Sequence, residues 1–288
     1  MRILVLGASG MLGSAMVRVM SERHDLEIFG TLRSPLPDFE RIMKGVHFLH
    51  GIYAHEPDSL ASALSACRPD VVVNCIGLVK QISTSDGPLD AIPINSILPH
   101  RLARFCELSG ARLVHISTDC VFSGSRGNYK ESDAPDAQDL YGRSKLLGEV
   151  DYPHAITIRT SMIGHELRGG HSLVEWFMSQ KYSCLGYERA IFSGVPTVVL
   201  SRMIRDIILP RRDLHGVYHA AAEPISKFDL LKLIAEKYKK KIKIIPDAKV
   251  AIDRSLDGSR LQEETGFIAP SWPELIDVMY SSHRGTHV

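Results

Sequence analysis

Residues 3–13 read Ile3-Leu4-Val5-Leu6-Gly7-Ala8-Ser9-Gly10-Met11-Leu12-Gly13, an apolar run that breaks at one glycine and passes two more into a helix-patterned segment. A strand, a tight turn and a helix in this order form a dinucleotide-binding turn, with Gly7, Ser9, Gly10, Met11 and Leu12 the expected cofactor contacts. Gly7 is expected to take backbone angles closed to other residues, so that the chain leaves the strand sharply. Gly10 has no side chain to hold a pyrophosphate away from the backbone N–H groups, and Gly13 lets helix and strand pack closely. Leu12, Ala15, Met16, Val19 and Met20 then recur at the i, i+3, i+4 spacing of a helix that buries one face. The N-terminus of that helix, with its unpaired N–H groups and positive dipole end, favours the phosphates.

The spacing Gly7-x-x-Gly10-x-x-Gly13 is one residue wider in its first gap than G-x-G-x-x-G. That wider gap resembles the extended short-chain dehydrogenase/reductase superfamily. With 288 residues the chain has room for one large or two unequal domains, and a formal charge of +1 gives no global field for nucleic acid or an anionic membrane. The five cysteines, Cys67, Cys75, Cys106, Cys120 and Cys184, are odd in number and include no C-x-x-C pair. This argues against a disulfide framework and a zinc knuckle, and fits reduced thiols in a cytoplasmic protein. No apolar run approaches 18 residues and the N-terminus opens directly into a strand, so neither signal peptide nor membrane span is expected.

Apolar, β-branched runs alternate with helical periods: strands near 2–6, 26–30, 46–49, 71–76, 112–117 and 155–159, and helices near 11–22, 57–67, 95–109 and 139–150. The alternation predicts an α/β, doubly wound parallel sheet, with chemistry in the loops beyond the carboxyl ends of the strands. After residue 160 the rhythm loosens around Gly164, Gly169, Gly170, Cys184-Leu185-Gly186 and Pro196; a helix near 197–209 and a strand near 216–220 resume it. Helices near 226–239 and 272–282 follow, around short strands. The expected division is a dinucleotide-binding domain of residues 1–160, rejoined by 196–222, and a smaller interleaved substrate-binding region of 161–195 and 223–288.

The segment Tyr141-Gly142-Arg143-Ser144-Lys145 places a tyrosine and a lysine four apart, on one helix face. A tyrosine with its ordinary pKa near 10 is a poor acid–base catalyst, and a neighbouring ammonium group lowers that value by stabilising the phenolate. Upstream, Val114-His115-Ile116 leads into Ser117-Thr118-Asp119, which puts small hydroxyls at the ligand end of a sheet strand. A hydroxyl there can hydrogen-bond the oxygen that the tyrosine protonates.

Ser117-Thr118-Asp119-Cys120-Val121-Phe122-Ser123-Gly124, then Gly127-Asn128-Tyr129-Lys130-Glu131, then Tyr141 through Glu149, together resemble the dTDP-4-dehydrorhamnose reductase family. Arg68-Pro69-Asp70 through Asn74, Arg159-Thr160-Ser161, Gly216-Val217-Tyr218-His219 and Ser255-Leu256-Asp257 extend the likeness along the chain. These are extended short-chain reductases of nucleotide-linked 4-keto-6-deoxy sugars that serve surface polysaccharide assembly. The resemblance implies that Thr118, Tyr141 and Lys145 are catalytic: Thr118 orients the carbonyl, Tyr141 delivers a proton, and Lys145 holds the nicotinamide ribose and tunes Tyr141. It also leaves two other outcomes on the same fold, an epimerase or dehydratase that recycles its cofactor, and a non-catalytic regulatory subunit.

Gly30-Thr31-Leu32-Arg33 lacks the acidic residue that binds a ribose 2′-hydroxyl and offers Arg33 to a 2′-phosphate, which favours NADPH over NADH; the other reading of Arg33 is a solvated loop cation. Relatives often have an acidic residue near the adenine where this chain has Gly51-Ile52-Tyr53. Cys75-Ile76-Gly77 should pass the nicotinamide ribose, after which Leu78-Val79-Lys80-Gln81 enters the substrate cleft. Lys80 and Gln81, together with Cys120 where many relatives have tyrosine, resemble the branch that reduces UDP-linked 2-acetamido-4-keto-6-deoxyhexoses. Lys80 reads either as a substrate contact or as a loop cation, and Asp119 either as a substrate contact, with Thr118 and Tyr141, or as a loop cap. The basic run Lys237 to Lys243 reads as a solvated helix end rather than a nucleic-acid site. No metal-ligand spacing occurs among the thirteen histidines, Leu173, Trp176 and Phe177 are expected in a core, and a homodimer is left open.

Overall fold

The computed structural model describes residues 1–78 and 87–284. Lys80 and Gln81 lie outside them. Two compact units share the chain: Met1–Ser117, Gln138–Ile158 and Ser201–Val217 form the first, and Thr118–Ala137, Arg159–Leu200 and Tyr218–Val288 the second. Residues 118–137, which the sequence placed inside the dinucleotide-binding domain, thus cluster with the second unit.

In the first unit the chain begins β1 (Arg2–Leu6), α1 (Met11–Ser21), β2 (Glu27–Thr31), α2 (Pro37–Ile42), β3 (Val46–Leu49), α3 (Pro57–Cys67) and β4 (Val71–Asn74). After α4 (Pro88–Ala91) and a π-helical turn at Ile92–Ile97 come α5 (Leu98–Ser109) and β5 (Arg112–Thr118). Further on, α6 (Leu140–Leu147) and β6 (Ala155–Thr160) follow. The seven-stranded sheet runs β10-β6-β5-β4-β1-β2-β3, β10 being Gly216–His219. Leu4 pairs in parallel register with Phe29 of β2 and with Val72 of β4. Strand order therefore reverses between β1 and β4, the switch point at which doubly wound sheets take their ligands.

β1, β4 and β5 are buried along almost their whole length because helices cover the sheet, as parallel strands require. Leu60 and Leu64 of α3 and Leu98, Leu102 and Cys106 of α5 pack with Leu4, Leu6 and Val72 in one buried cluster. Burying each leucine side chain contributes about 1.5–3 kcal/mol.

The second unit contains β7 (Met162–Ile163), α7 (Leu173–Ser179), β8 (Ser183–Phe192), β9 (Val195–Pro196), β11 (Ile225–Ser226), α9 (Lys227–Lys237), β12 (Lys243–Asp253), α10 (Ser259–Thr265) and α11 (Trp272–Arg284), while α8 (Thr197–Met203) crosses the division. β8 pairs in parallel with β12, interrupted by a bulge between Asp247 and Ala251, and antiparallel with β11. At eleven residues, β12 is longer than the short strands expected here. Phe177 is fully buried, as expected, but Trp176 is 38% exposed. Neighbouring helical residues point about 100° apart, and α7 turns Trp176 away from the face that buries Phe177.

Candidate active site

Gly7 has φ +77°, and a Cβ on it would lie 2.9 Å from Ile76 Cγ1, so the turn after β1 and the turn after β4 abut. The Gly7 N–H donates to Thr31 Oγ1 at 3.0 Å, tying the turn to the end of β2. A Cβ on Gly13 would stand 2.0 Å from the Gly7 carbonyl oxygen, and that contact sets the close packing of α1 on β1. Gly10 differs from both. A Cβ there would meet only the Gly7 carbonyl oxygen, at 3.4 Å, so the protein itself does not demand a glycine. Ser9 and Gly10 are exposed at the head of α1, Met11 is half-buried and Leu12 buried. The turn thus fits the dinucleotide expected for it: backbone N–H groups at a helix start, with an open approach.

Arg33 is exposed just beyond β2 and has no hydrogen bond or ion pair with another described residue. Cys75, Ile76 and Gly77 continue from β4. Burial pushes the Cys75 thiol up to about 12, which removes it from nucleophilic chemistry. Cys120 is likewise pushed up to about 12, first by burial and then by the Asp119 charge. All five cysteines are free.

α6 starts at Asp139, whose carboxylate accepts the Gly142 N–H at 2.8 Å and caps the helix. Tyr141 follows, half-buried, with Lys145 one turn on. Lys145 Nζ is buried and donates to the Ile116 carbonyl of β5 at 2.7 Å. A Cβ on Gly77 would come within 3.8 Å of the same nitrogen, so the structure brings together the ribose-side loop and the lysine assigned to the ribose. Burial lowers the Lys145 pKa from its ordinary 10.5 to about 8, against an opposing pull from Glu149. The ammonium form prevails at neutral pH, held in a place from which water is excluded.

One residue absent from the sequence reading organises this site. Asn95, in the π-helical turn, accepts the Leu78 N–H at 2.9 Å and donates to the Leu78 carbonyl at 3.2 Å and to Ser144 Oγ at 3.2 Å. Ser144 Oγ in turn donates to the Tyr141 carbonyl at 3.0 Å. The loop after β4 is thereby fastened to the helix that carries Tyr141 and Lys145. The signal in the sequence was a lone asparagine between Ile94 and Ser96, in a stretch whose prolines at 88, 93 and 99 disturb the α-helical ladder.

Thr118 ends β5 and belongs to the second unit, as do Asp119 and Cys120. Thr118 Oγ1 accepts the Cys120 N–H and donates to Asp119 Oδ1, both at 3.1 Å. Burial raises the Asp119 carboxyl above the usual carboxylate range, opposed by the bond from Thr118 and the charge of Arg254. Among the described residues no cluster of His, Cys, Asp and Glu could hold a metal, and no helix is long and apolar enough to cross a membrane.

The profile of the RmlD substrate binding domain family matches residues 1–284. A dTDP-4-dehydrorhamnose reductase of Mycobacterium tuberculosis is 30% identical over 262 residues, 82% of this chain and 75% of that protein. Some other curated relatives are matched over only about half their length. One is the methionine adenosyltransferase 2 subunit beta of Bos taurus, 32% identical over 51% of this chain and 41% of that one. Among solved structures, a hypothetical dTDP-4-dehydrorhamnose reductase from Sulfolobus tokodaii superposes with a TM-score of 0.76 at 27% identity, covering 94% of this chain and 98% of that chain.

Proposed function

From its membership of the RmlD substrate binding domain family, we propose that the chain is an NADPH-dependent reductase of the C4 ketone of a nucleotide-linked 4-keto-6-deoxy sugar. The UDP-linked 2-acetamido sugar is favoured and dTDP-4-dehydrorhamnose comes next, and the product feeds surface polysaccharide assembly. The observation that carries the reading is the buried Lys145 ammonium, set beside Gly77 and one turn from Tyr141 on α6. NADPH, when bound, supplies the hydride to C4. Gly7, Ser9, Gly10, Met11 and Leu12 receive the pyrophosphate, and Arg33 the 2′-phosphate. Lys145 holds the ribose hydroxyls and favours the Tyr141 phenolate; Tyr141 gives its proton to the carbonyl oxygen as C4 gains the hydride, so that C=O becomes CH–OH. Thr118 directs that oxygen, and Lys80, Gln81 and Asp119 take the sugar.

The partial match to a methionine adenosyltransferase subunit favours a second reading, a regulatory subunit on the same fold. Against it stand Thr118, Tyr141 and Lys145, which a binding scaffold has no chemical need to hold. NADPH oxidation measured with UDP- and dTDP-linked 4-keto-6-deoxy sugars, generated in place by a 4,6-dehydratase, separates these readings. Stoichiometric loss of NADPH with product supports the reductase. Product without NADPH loss identifies a cofactor-recycling epimerase, and no reaction with either sugar removes the catalytic reading.

A further inference from the structure

His115 is a fully buried titratable residue that the proposed chemistry does not use. It stands opposite Asn74 in the β4–β5 register, and Asn74 Nδ2 lies 3.1 Å from His115 Nδ1. The other end of the same carboxamide, Asn74 Oδ1, accepts the Ile76 N–H at 3.1 Å. A backbone N–H can only donate, so the oxygen of Asn74 must face Ile76 and its nitrogen must face His115. Nδ1 is then the acceptor, and the single proton of the neutral imidazole sits on Nε2.

That arrangement costs free energy. Nε2 is the one buried side-chain polar atom among the described residues without a hydrogen-bond partner. An N–H left in this condition has given up its bond to water and gained none in return. A phenyl ring would avoid the cost; what it could not supply is an acceptor for Asn74 Nδ2. Protonating the imidazole would set a second N–H against that nitrogen, close to the Lys145 ammonium and His100. Desolvation, Lys145 and His100 accordingly hold the His115 pKa well below its ordinary 6.5.

We propose that His115 is a positioning residue for the cofactor: by accepting from Asn74 at Nδ1 it locks the carboxamide in the one orientation that secures the Ile76 N–H. Ile76 abuts Gly7 of the dinucleotide turn, and Gly77, the next residue, lies beside Lys145. The lock therefore acts where both ends of the cofactor site are set. It rests on the cofactor part of the reading above and not on the identity of the sugar.

Two measurements test it. In the unmodified protein, 15N-edited NMR of the histidine side chains should show His115 as the neutral Nε2–H tautomer, unchanged from pH 6 to 8; an Nδ1–H tautomer would overturn the proposal without any variant. In His115→Phe the Kd for NADPH, read by fluorescence titration, should rise about tenfold, with its KM rising in parallel while kcat at saturating NADPH and the sugar KM move by less than about twofold. Asn74→Asp, whose carboxylate can accept from both Ile76 and an Nδ1–H, should keep NADPH affinity within about threefold and switch His115 to carry a proton on Nδ1. Unchanged NADPH affinity in His115→Phe, or an Asn74→Asp protein that binds NADPH weakly with the tautomer unmoved, would refute the lock. Failure of the sugar assays alone would leave it standing, because the fluorescence Kd and the NMR tautomer read the cofactor and the imidazole without turnover.

Discussion

Lys145 offers a test in which the structure sets the magnitude. With its pKa at about 8, the free side chain is about nine-tenths protonated at pH 7 and about one-tenth at pH 9. If only the ammonium form holds the cofactor ribose, the Kd for NADPH should weaken about tenfold between those pH values, equivalent to about 1.4 kcal/mol. Lys145→Met, which imitates the neutral lysine, should bind well over tenfold more weakly than the wild type at pH 7 and show no pH dependence, so that the wild-type curve falls toward it as pH rises. Stability carries the opposite sign. A lysine whose folded pKa is lowered is charged in both states below pH 8, where its burial opposes folding by about 3 kcal/mol at most. That penalty fades as pH rises from 8 toward 10.5. Lys145→Met should therefore unfold at pH 7 no more easily than the wild type by more than the bond to Ile116 is worth, about 1 kcal/mol. Isothermal titration across pH 7–9 with thermal melts decides the matter. A wild-type Kd that stays flat, or a Lys145→Met protein destabilised by several kcal/mol, would refute a strained, cofactor-facing ammonium.

Three further outcomes follow from the site. Tyr141→Phe should lower kcat by about 10²–10⁴-fold with NADPH affinity changed by less than about twofold, checked by steady-state kinetics and titration. Gly13→Ala should lower the melting temperature and NADPH affinity together, because its Cβ would enter the Gly7 carbonyl; the overpacking cost of about 1–3 kcal/mol exceeds the helix-propensity gain of about 1 kcal/mol. Arg33→Ala should weaken NADPH binding about tenfold and leave NADH binding unaltered, which paired titrations would establish.

The parts of the site that were legible in the sequence are local. Three glycines in seven residues, or a tyrosine and lysine one helical turn apart, state their geometry within a few bonds of the chain. Asn74 and His115 meet across 41 residues, and Asn95 and Ser144 across 49, so each looks like a stray polar residue until the strands are paired. The same reason hid β12: Pro246 falls within it and most of its residues are exposed, and only pairing with β8 reveals it as a strand. Trp176 misled because aromatic neighbours in sequence were read as neighbours in a core, whereas the helix turns one of them outward. The assignment of residues 118–137 rested on the sheet strand that precedes them, and their own packing joins them to Asp253, Arg254 and Ser255 of the second unit.

Hydride transfer to the sugar is the central claim, and NADPH deuterated at both hydrogens of the nicotinamide C4 follows it most directly. The sugar-nucleotide product analysed by mass spectrometry and NMR should contain one deuterium, bound to C4, for each NADPH consumed. A reduced sugar that forms without deuterium at C4 would contradict it.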